Sequence, residues 1–161
     1  MQIRRARVED AAAIVELYNH YVRETLVSFE TESVSVSEMA ARIVDKLSKY
    51  EWLVAMEGEA LLGYAYYGEF RARKAYGGTV ESSVYMAEQA KGRGLASQLY
   101  SELLAKARAG GFSQVIGVIT LPNAQSETLH KRLGFEPVGV LRAVGRKFDQ
   151  DADVALWQLS L

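Results

Sequence analysis

The chain has 161 residues, 49% of them hydrophobic and only two of them proline, which suits one compact domain spanning 1–161 rather than a disordered segment. Nineteen basic and twenty acidic residues leave a net charge of −1, which argues against general nucleic-acid or anionic-membrane binding, where a basic excess supplies the affinity. The absence of cysteine excludes disulfides, thiolate metal sites and cysteine nucleophiles, and the two histidines, His20 and His130, make no obvious metal site. In chain order, residues 2–8 read as a strand, and Asp10 as the N-cap of a helix over about 11–23 that carries Ile14, Leu17, Tyr18 and Tyr21 on one side. Ser35 and Glu38 form an S-x-x-E capping box ahead of a helix reaching about Lys49. Trp52 to Met56 and Leu61 to Phe70 read as an antiparallel hairpin with a Glu-Gly-Glu turn. A basic aromatic loop over 71–78 leads to a strand at 79–87. A helix follows with Leu95, Leu99, Leu103 and Ala107 at helical spacing and ends at Gly110-Gly111; Val115 to Thr120 is a buried strand. A short helix over about 124–133 is closed by Gly134, and strands at about 137–148 and 152–160 finish the chain around an Asp-Gln-Asp turn.

The segment Gln89-Ala90-Lys91-Gly92-Arg93-Gly94-Leu95-Ala96 joins a strand to an amphipathic helix through a glycine-rich basic turn. The first turn of a helix has backbone N–H groups without intrahelical partners and a positive dipole end, and glycines at 92 and 94 let an anion approach that backbone closely. Lys91 and Arg93 add charge at the same place, so the segment reads as a local phosphate cradle. Such turns are common before helices, and composition and spacing by themselves stop at a phosphate-binding α/β domain.

The strand Val80-Glu81-Ser82-Ser83-Val84-Tyr85-Met86, the cradle, Leu121-Pro122-Asn123 and Leu129-His130-Lys131-Arg132-Leu133-Gly134-Phe135 stand in an ordered set that resembles a GNAT acetyltransferase. Phe70 to Tyr76, Thr79 to Ser82 and Leu141 to Lys147 further resemble the phosphinothricin and methionine sulfoximine acetyltransferases, and the similarity runs through nearly the whole chain. The resemblance implies a mixed, mostly antiparallel seven-stranded sheet splayed between its fourth and fifth strands, with about four helices on both faces. It also implies acetyl-CoA as cosubstrate without a metal, the α-amino group of a small amino acid as acceptor, direct transfer in a ternary complex, and a homodimer.

An α-amino group is mostly protonated at pH 7 and is nucleophilic only when neutral, so a base must take a proton; Glu81 is the candidate, directly or through water. A lone strand glutamate is more often simply solvated, and the family's carboxylate motif reverses that preference. In the resembled family a backbone N–H of this strand meets the developing oxyanion, and backbone groups near Val84, Tyr85 and Met86 pair with the pantetheine amides like an added strand. The cradle residues Gln89, Lys91, Gly92, Arg93, Gly94, Leu95 and Ala96 take the phosphates. His130 stands where many members place a tyrosine, and an imidazole there either protonates the leaving thiolate or hydrogen-bonds near it. Asn123 is a hydrogen-bond partner of the cofactor or an N-cap.

Arg71 and Arg73 are candidates for holding an acceptor carboxylate, because a guanidinium matches a carboxylate bidentately. Phe29 and Glu30 align with a family segment lining the acceptor pocket. The proline common in the family after this point is replaced by Ser33-Val34-Ser35-Val36, so the loop's course stays open. Tyr64, Tyr66 and Trp157 are compatible with an interface or with a core. Acetylation of a peptide amine and an acyl-CoA sensor without turnover stand as alternatives; the paired arginines weigh against the first, and intact Glu81 and His130 against the second. With no apolar run long enough to span a bilayer and no secretory core, a cytoplasmic protein is expected.

Overall fold

The computed structural model describes all 161 residues. Seven strands, β1 (Gln2–Arg5), β2 (Trp52–Glu57), β3 (Ala60–Glu69), β4 (Thr79–Met86), β5 (Gln114–Thr120), β6 (Glu136–Lys147) and β7 (Gln150–Ser160), form one sheet in the order β1-β2-β3-β4-β5-β7-β6. Only β4 and β5 run parallel. Helices α1 (Ala11–Glu24) and α2 (Val36–Leu47) cover one face; α3 (Leu95–Ala109) and α4 (Ala124–Arg132) cover the other. Two apolar cores result. Ile14, Val22, Met39, Ile43, Val54 and Tyr64 pack beneath α1 and α2, while Leu99, Leu103, Ala107, Val80, Val115 and Phe135 pack beneath α3 and α4. The 3.6-residue spacing of Leu95, Leu99, Leu103 and Ala107 thus lies on the core face of α3 as expected, all four being buried. No helix is long and apolar enough to cross a membrane.

Several local expectations are corrected. The first strand ends at Arg5, because Val8–Asp10 turn as one tight helical turn ahead of α1. Asp10 stands at the N-cap position of α1 as expected, but its backbone is already helical and its side chain makes no cap bond. Its carboxylate instead accepts from the Arg7 amide at 2.8 Å and binds the Arg4 guanidinium at 2.7 and 2.8 Å, and Arg4 holds it below the usual carboxylate range. The capping box is half formed: Ser35 accepts from the Glu38 amide at 3.1 Å, but the Glu38 carboxylate turns to Arg42 at 2.5 Å, a nearby cation being a stronger partner than a backbone amide. α2 stops at Leu47, two residues early, where Ser48 caps the chain back onto Asp45. The last hairpin turns at Phe148-Asp149, both at positive φ, one residue before the expected Asp-Gln-Asp turn. Tyr64 and Trp157 are core residues and Tyr66 is half-buried.

The parallel pair decides where a site can form. β4 and β5 are in register only from Thr79↔Gln114 to Ser82↔Gly117, after which they part. β4 continues to pair with β3 as far as Met86↔Gly63, and β5 with β7 as far as Thr120↔Val154. The sheet is therefore split along half the length of β4.

Candidate active site

Backbone direction in the split follows from the β3–β4 ladder. Ala87 donates to the Leu62 carbonyl at 2.9 Å, and hydrogen-bonded and non-hydrogen-bonded pairs alternate along an antiparallel ladder. Tyr85 and Ser83 therefore bond to β3, whereas the N–H and C=O groups of Val84 and Met86 point toward β5, where no strand remains to receive them. Of the three residues expected to supply backbone groups, Val84 and Met86 do so and Tyr85 does not. The Met86 carbonyl is already taken by the Tyr21 hydroxyl at 2.6 Å, which leaves the Val84 pair and the Met86 amide.

Below the split lies the glycine-rich turn. Gly92 and Gly94 adopt φ of +73° and +75°, and a Cβ built on either would touch nothing within 4 Å. Glycine is demanded first by backbone conformation, and the surroundings are open enough for a ligand to approach. Gly94 is the N-cap of α3, and no side chain caps the helix, so its first amides are free. The Leu95 side chain is buried in the core, while Gln89, Lys91, Gly92, Arg93 and Gly94 are exposed and Ala96 is half-buried. Lys91 pairs with Glu88 at 2.6 Å and Arg93 with Glu57 at 3.0 Å, both on the surface, where such pairs contribute little and exchange readily. A linear acyl carrier with a phosphate-rich end fits this arrangement, its amides along β4 and its phosphates at the α3 terminus.

Glu81, Ser83 and Tyr85 face α1 and α2, and Tyr85 packs edge-on against Tyr18 and Tyr21. Glu81 is half-buried, makes no hydrogen bond or ion pair within the protein, and has its carboxyl pushed above the usual range by burial, with Lys46 opposing. An unpaired, desolvated carboxylate with a raised pKa has the character of a proton acceptor.

His130 is on the opposite face. It is buried on α4, its Nδ1 lies 2.7 Å from the Ser126 carbonyl, and its Nε2 lies 3.3 Å from the Tyr100 hydroxyl. A carbonyl only accepts, so Nδ1 carries the proton and Nε2 is the lone-pair side. Burial lowers the pKa, so the ring is neutral near pH 7 with its proton committed to Ser126. Tyr100 in turn meets the Ser82 hydroxyl at 2.6 Å. Gly117 makes room for the imidazole, since a Cβ there would lie 2.6 Å from it.

Ser82, Val84, Tyr85, Asn123, Ser126 and His130 line one cleft at the split, together with Val27. Asn123 Oδ1 caps α4 by accepting from the Ser126 amide at 3.1 Å. Phe29 packs on Gly145. Glu30 receives Arg42 at 2.6 and 2.9 Å and the Tyr18 hydroxyl, so both oxygens of its carboxylate are already engaged within the protein. Arg71 is exposed and stacked between the rings of Phe70 at 4.8 Å and Tyr76 at 5.4 Å; Arg73 is exposed at the start of a single helical turn. Neither arginine lines the cleft. Sequence reasoning missed Ser82, Tyr100, Ser126 and Gly117; a glycine inside an apolar strand marks close approach and was the one available signal.

Residues 3–156 match the acetyltransferase (GNAT) domain family. The phosphinothricin N-acetyltransferase of Streptomyces viridochromogenes is 40% identical over 98% of this chain and 86% of its own. The L-methionine sulfoximine/L-methionine sulfone acetyltransferase of Pseudomonas aeruginosa is 37% identical over 99% of this chain and 94% of its own. Among solved structures, a phosphinothricin acetyltransferase from Sinorhizobium meliloti in complex with AcCoA superposes with a TM-score of 0.95 at 36% identity, covering 99% of this chain and 88% of its own.

Proposed function

Because the chain belongs to the GNAT acetyltransferase family, we propose that it transfers acetyl from acetyl-CoA to the α-amino group of a small amino acid or analogue of the phosphinothricin, methionine sulfoximine and methionine sulfone type. The observation that carries this reading is the split between β4 and β5, which leaves the Val84 backbone unpaired on the strand that leads through the glycine-rich turn into the uncapped terminus of α3. Acetyl-CoA supplies an activated acyl group on a good leaving group. The protein's residues do the rest.

Glu81 takes a proton from the acceptor ammonium, directly or through water, so that the neutral amine attacks the thioester carbon; the new C–N bond forms as the C–S bond breaks. The amide of Val84 faces the place where charge builds on the carbonyl oxygen. The amides at the start of α3, with Gln89, Lys91, Gly92, Arg93, Gly94, Leu95 and Ala96, hold the phosphates. His130, neutral and with its Nδ1 proton bound to Ser126, acts as a hydrogen-bond element that orients Tyr100 and Ser82 beside the cleft, and the departing thiolate takes up the second proton that the amine nitrogen sheds as it becomes an amide. Asn123 fixes α4 through its oxygen and leaves its amide group for the carrier. Arg71 and Arg73, exposed on the loop ahead of the Glu81 strand and outside the cleft itself, are assigned to the acceptor carboxylate on the family resemblance, and Phe29 with the Glu30–Arg42 pair to the pocket's outer wall.

We further assign a homodimer in a cytoplasmic setting. β6 ends the sheet and exposes Val138, Val140, Leu141 and Val144 at 46–60%, an apolar run on an open edge that a second copy would cover.

Release of CoA from acetyl-CoA, followed with free amino acids, oxidised methionine analogues, phosphinothricin and a peptide panel, tests the reading beside Glu81→Gln. Saturable turnover of a free amino acid, reduced on the order of 10²–10⁴-fold in the variant, is expected. Turnover of peptides only, or none, overturns it.

A further inference from the structure

Gly68 of β3 is buried and lies directly opposite Glu81 in the β3–β4 ladder. Residues paired in this way carry their side chains on the same face with Cβ atoms roughly 4.5–5.5 Å apart, so a side chain at 68 would stand beside that of Glu81 on the face covered by α1 and α2. Glycine has none, and Lys46 of α2 fills the place. A Cβ built on Gly68 would lie 2.5 Å from Lys46 Nζ, 3.1 Å from its Cδ and 3.3 Å from its Cε, and these are its three nearest neighbours. The Gly68 backbone is outside the left-handed region, so what position 68 requires is the missing side chain and not glycine's freedom.

The lysine is half-buried, its ammonium stands 5.5 Å from the centre of the Tyr66 ring, and it takes part in none of the protein's ion pairs. The other charged or titratable groups on this side are committed or turned outward. Arg42, one turn earlier on α2, is held by Glu30 and Glu38. The Tyr18 hydroxyl of α1 meets Ser28 and Glu30, and burial keeps Tyr66 of β3 protonated. Asp45, next to Lys46 on α2, is exposed. Ile116 of β5, opposite Glu81 on its other side, is apolar. Lys46 is the cation whose field reaches the Glu81 carboxyl.

We propose that Lys46 is a positioning residue of the reaction: its ammonium, admitted by the missing side chain at Gly68, serves as the cross-strand partner of Glu81 and keeps that carboxylate ready to take the acceptor's proton. The assignment rests on the amino-acid acetylation reading, with Glu81 as the base. A carboxyl withdrawn from water loses the solvation of its charged form, and a nearby opposite charge restores part of it. The same ammonium disfavours a second positive charge beside it, so an acceptor amine that reaches Glu81 gives up its proton more readily.

Wild type, Lys46→Met, Gly68→Ala and the double variant are compared through kcat/KM for methionine sulfone as a function of pH. Alanine suits the strand backbone at 68 and displaces only the flexible end of one side chain, so the fold is kept. Both single variants should move the acid limb to higher pH, with kcat/KM on that limb about threefold or more below wild type and the deficit narrowing toward the plateau. The double variant should match Lys46→Met, because the glycine acts only through the lysine. A limb unmoved in either single variant overturns the proposal, as does a loss equal at every pH, which would make Lys46 a binding group for the acceptor. The Glu81 carboxyl is followed directly in protein labelled with ¹³C-glutamate, its signal identified by its absence from Glu81→Gln. If no free amino acid is turned over, the acetylation reading falls and the carboxyl titration decides the pairing by itself: a midpoint raised in both single variants upholds it, and one unchanged in either overturns it.

Discussion

Glu81 and His130 lie on opposite faces of the sheet, and burial acts on them in opposite directions. Burial raises the Glu81 carboxyl above its ordinary value of 4.5, and a base works only when ionised, so activity is lost as pH falls through that raised value. The acid limb of kcat/KM should therefore lie above the ordinary glutamate range, and Lys46→Met, which removes the opposing cation, should move it further up; a limb at or below 4.5 would remove Glu81 as the base. His130 is depressed below 6.5 by burial, so the unfolded chain binds the proton first. Its contribution to stability is present in full above about 6.5 and declines as pH drops through the depressed folded value. Thermal melts between pH 8 and 5 should show that decline in the wild type and a flatter profile in His130→Gln. Glu81 became a candidate through the family's carboxylate motif, since a lone strand glutamate is more often simply solvated. Ser82, Tyr100 and Gly117 were not legible, because hydroxyls and glycines in apolar segments look like packing until the segments are brought together.

The loop between α1 and α2 shows why an element's course escapes its own sequence. Lys147, buried on β6, donates to the Thr25 carbonyl at 2.7 Å and the Ser28 carbonyl at 2.6 Å. Asn19 closes the other end by exchanging two hydrogen bonds with the Val34 backbone at 2.8 and 2.9 Å. Tyr18 meets Ser28 at 2.8 Å, and Phe29 lies on Gly145. These partners are up to 122 residues away, which is why a missing proline left the loop open on paper and fixed in space. Lys147→Met strands the buried Ser28 carbonyl and the half-buried Thr25 carbonyl and should cost about 1–3 kcal/mol in denaturant unfolding. It should also raise KM for the acceptor more than KM for acetyl-CoA, since of this loop only Val27 lines the cleft along β4 and the glycine-rich cradle lies outside the loop; equal effects on both would mean that the loop does not shape the acceptor pocket.

At the scale of the molecule, the order β1-β2-β3-β4-β5-β7-β6 leaves β6 as a free edge with four exposed large aliphatic side chains. Replacing Val140 and Val144 by glutamate together should convert the proposed dimer to a monomer in sedimentation, with the fold intact by circular dichroism; a wild type that sediments as a monomer overturns the dimer assignment, and an unchanged dimer would place the interface elsewhere. The sequence by itself determined the elements, since helical spacing in α3, the hairpin of β2 and β3 and the glycine turn before α3 depend on residues near one another along the chain. It also singled out the glycine-rich basic turn from residue type, whereas Glu81 was singled out by the family resemblance. Only the tertiary structure decided that β4 and β5 part after Ser82 and Gly117, that Val84 rather than Tyr85 faces the gap, and that the Glu30 carboxylate is already held by Arg42 and Tyr18. Strand direction, ladder register and the partners of a charged group are set by segments far apart in sequence, and no local pattern encodes them.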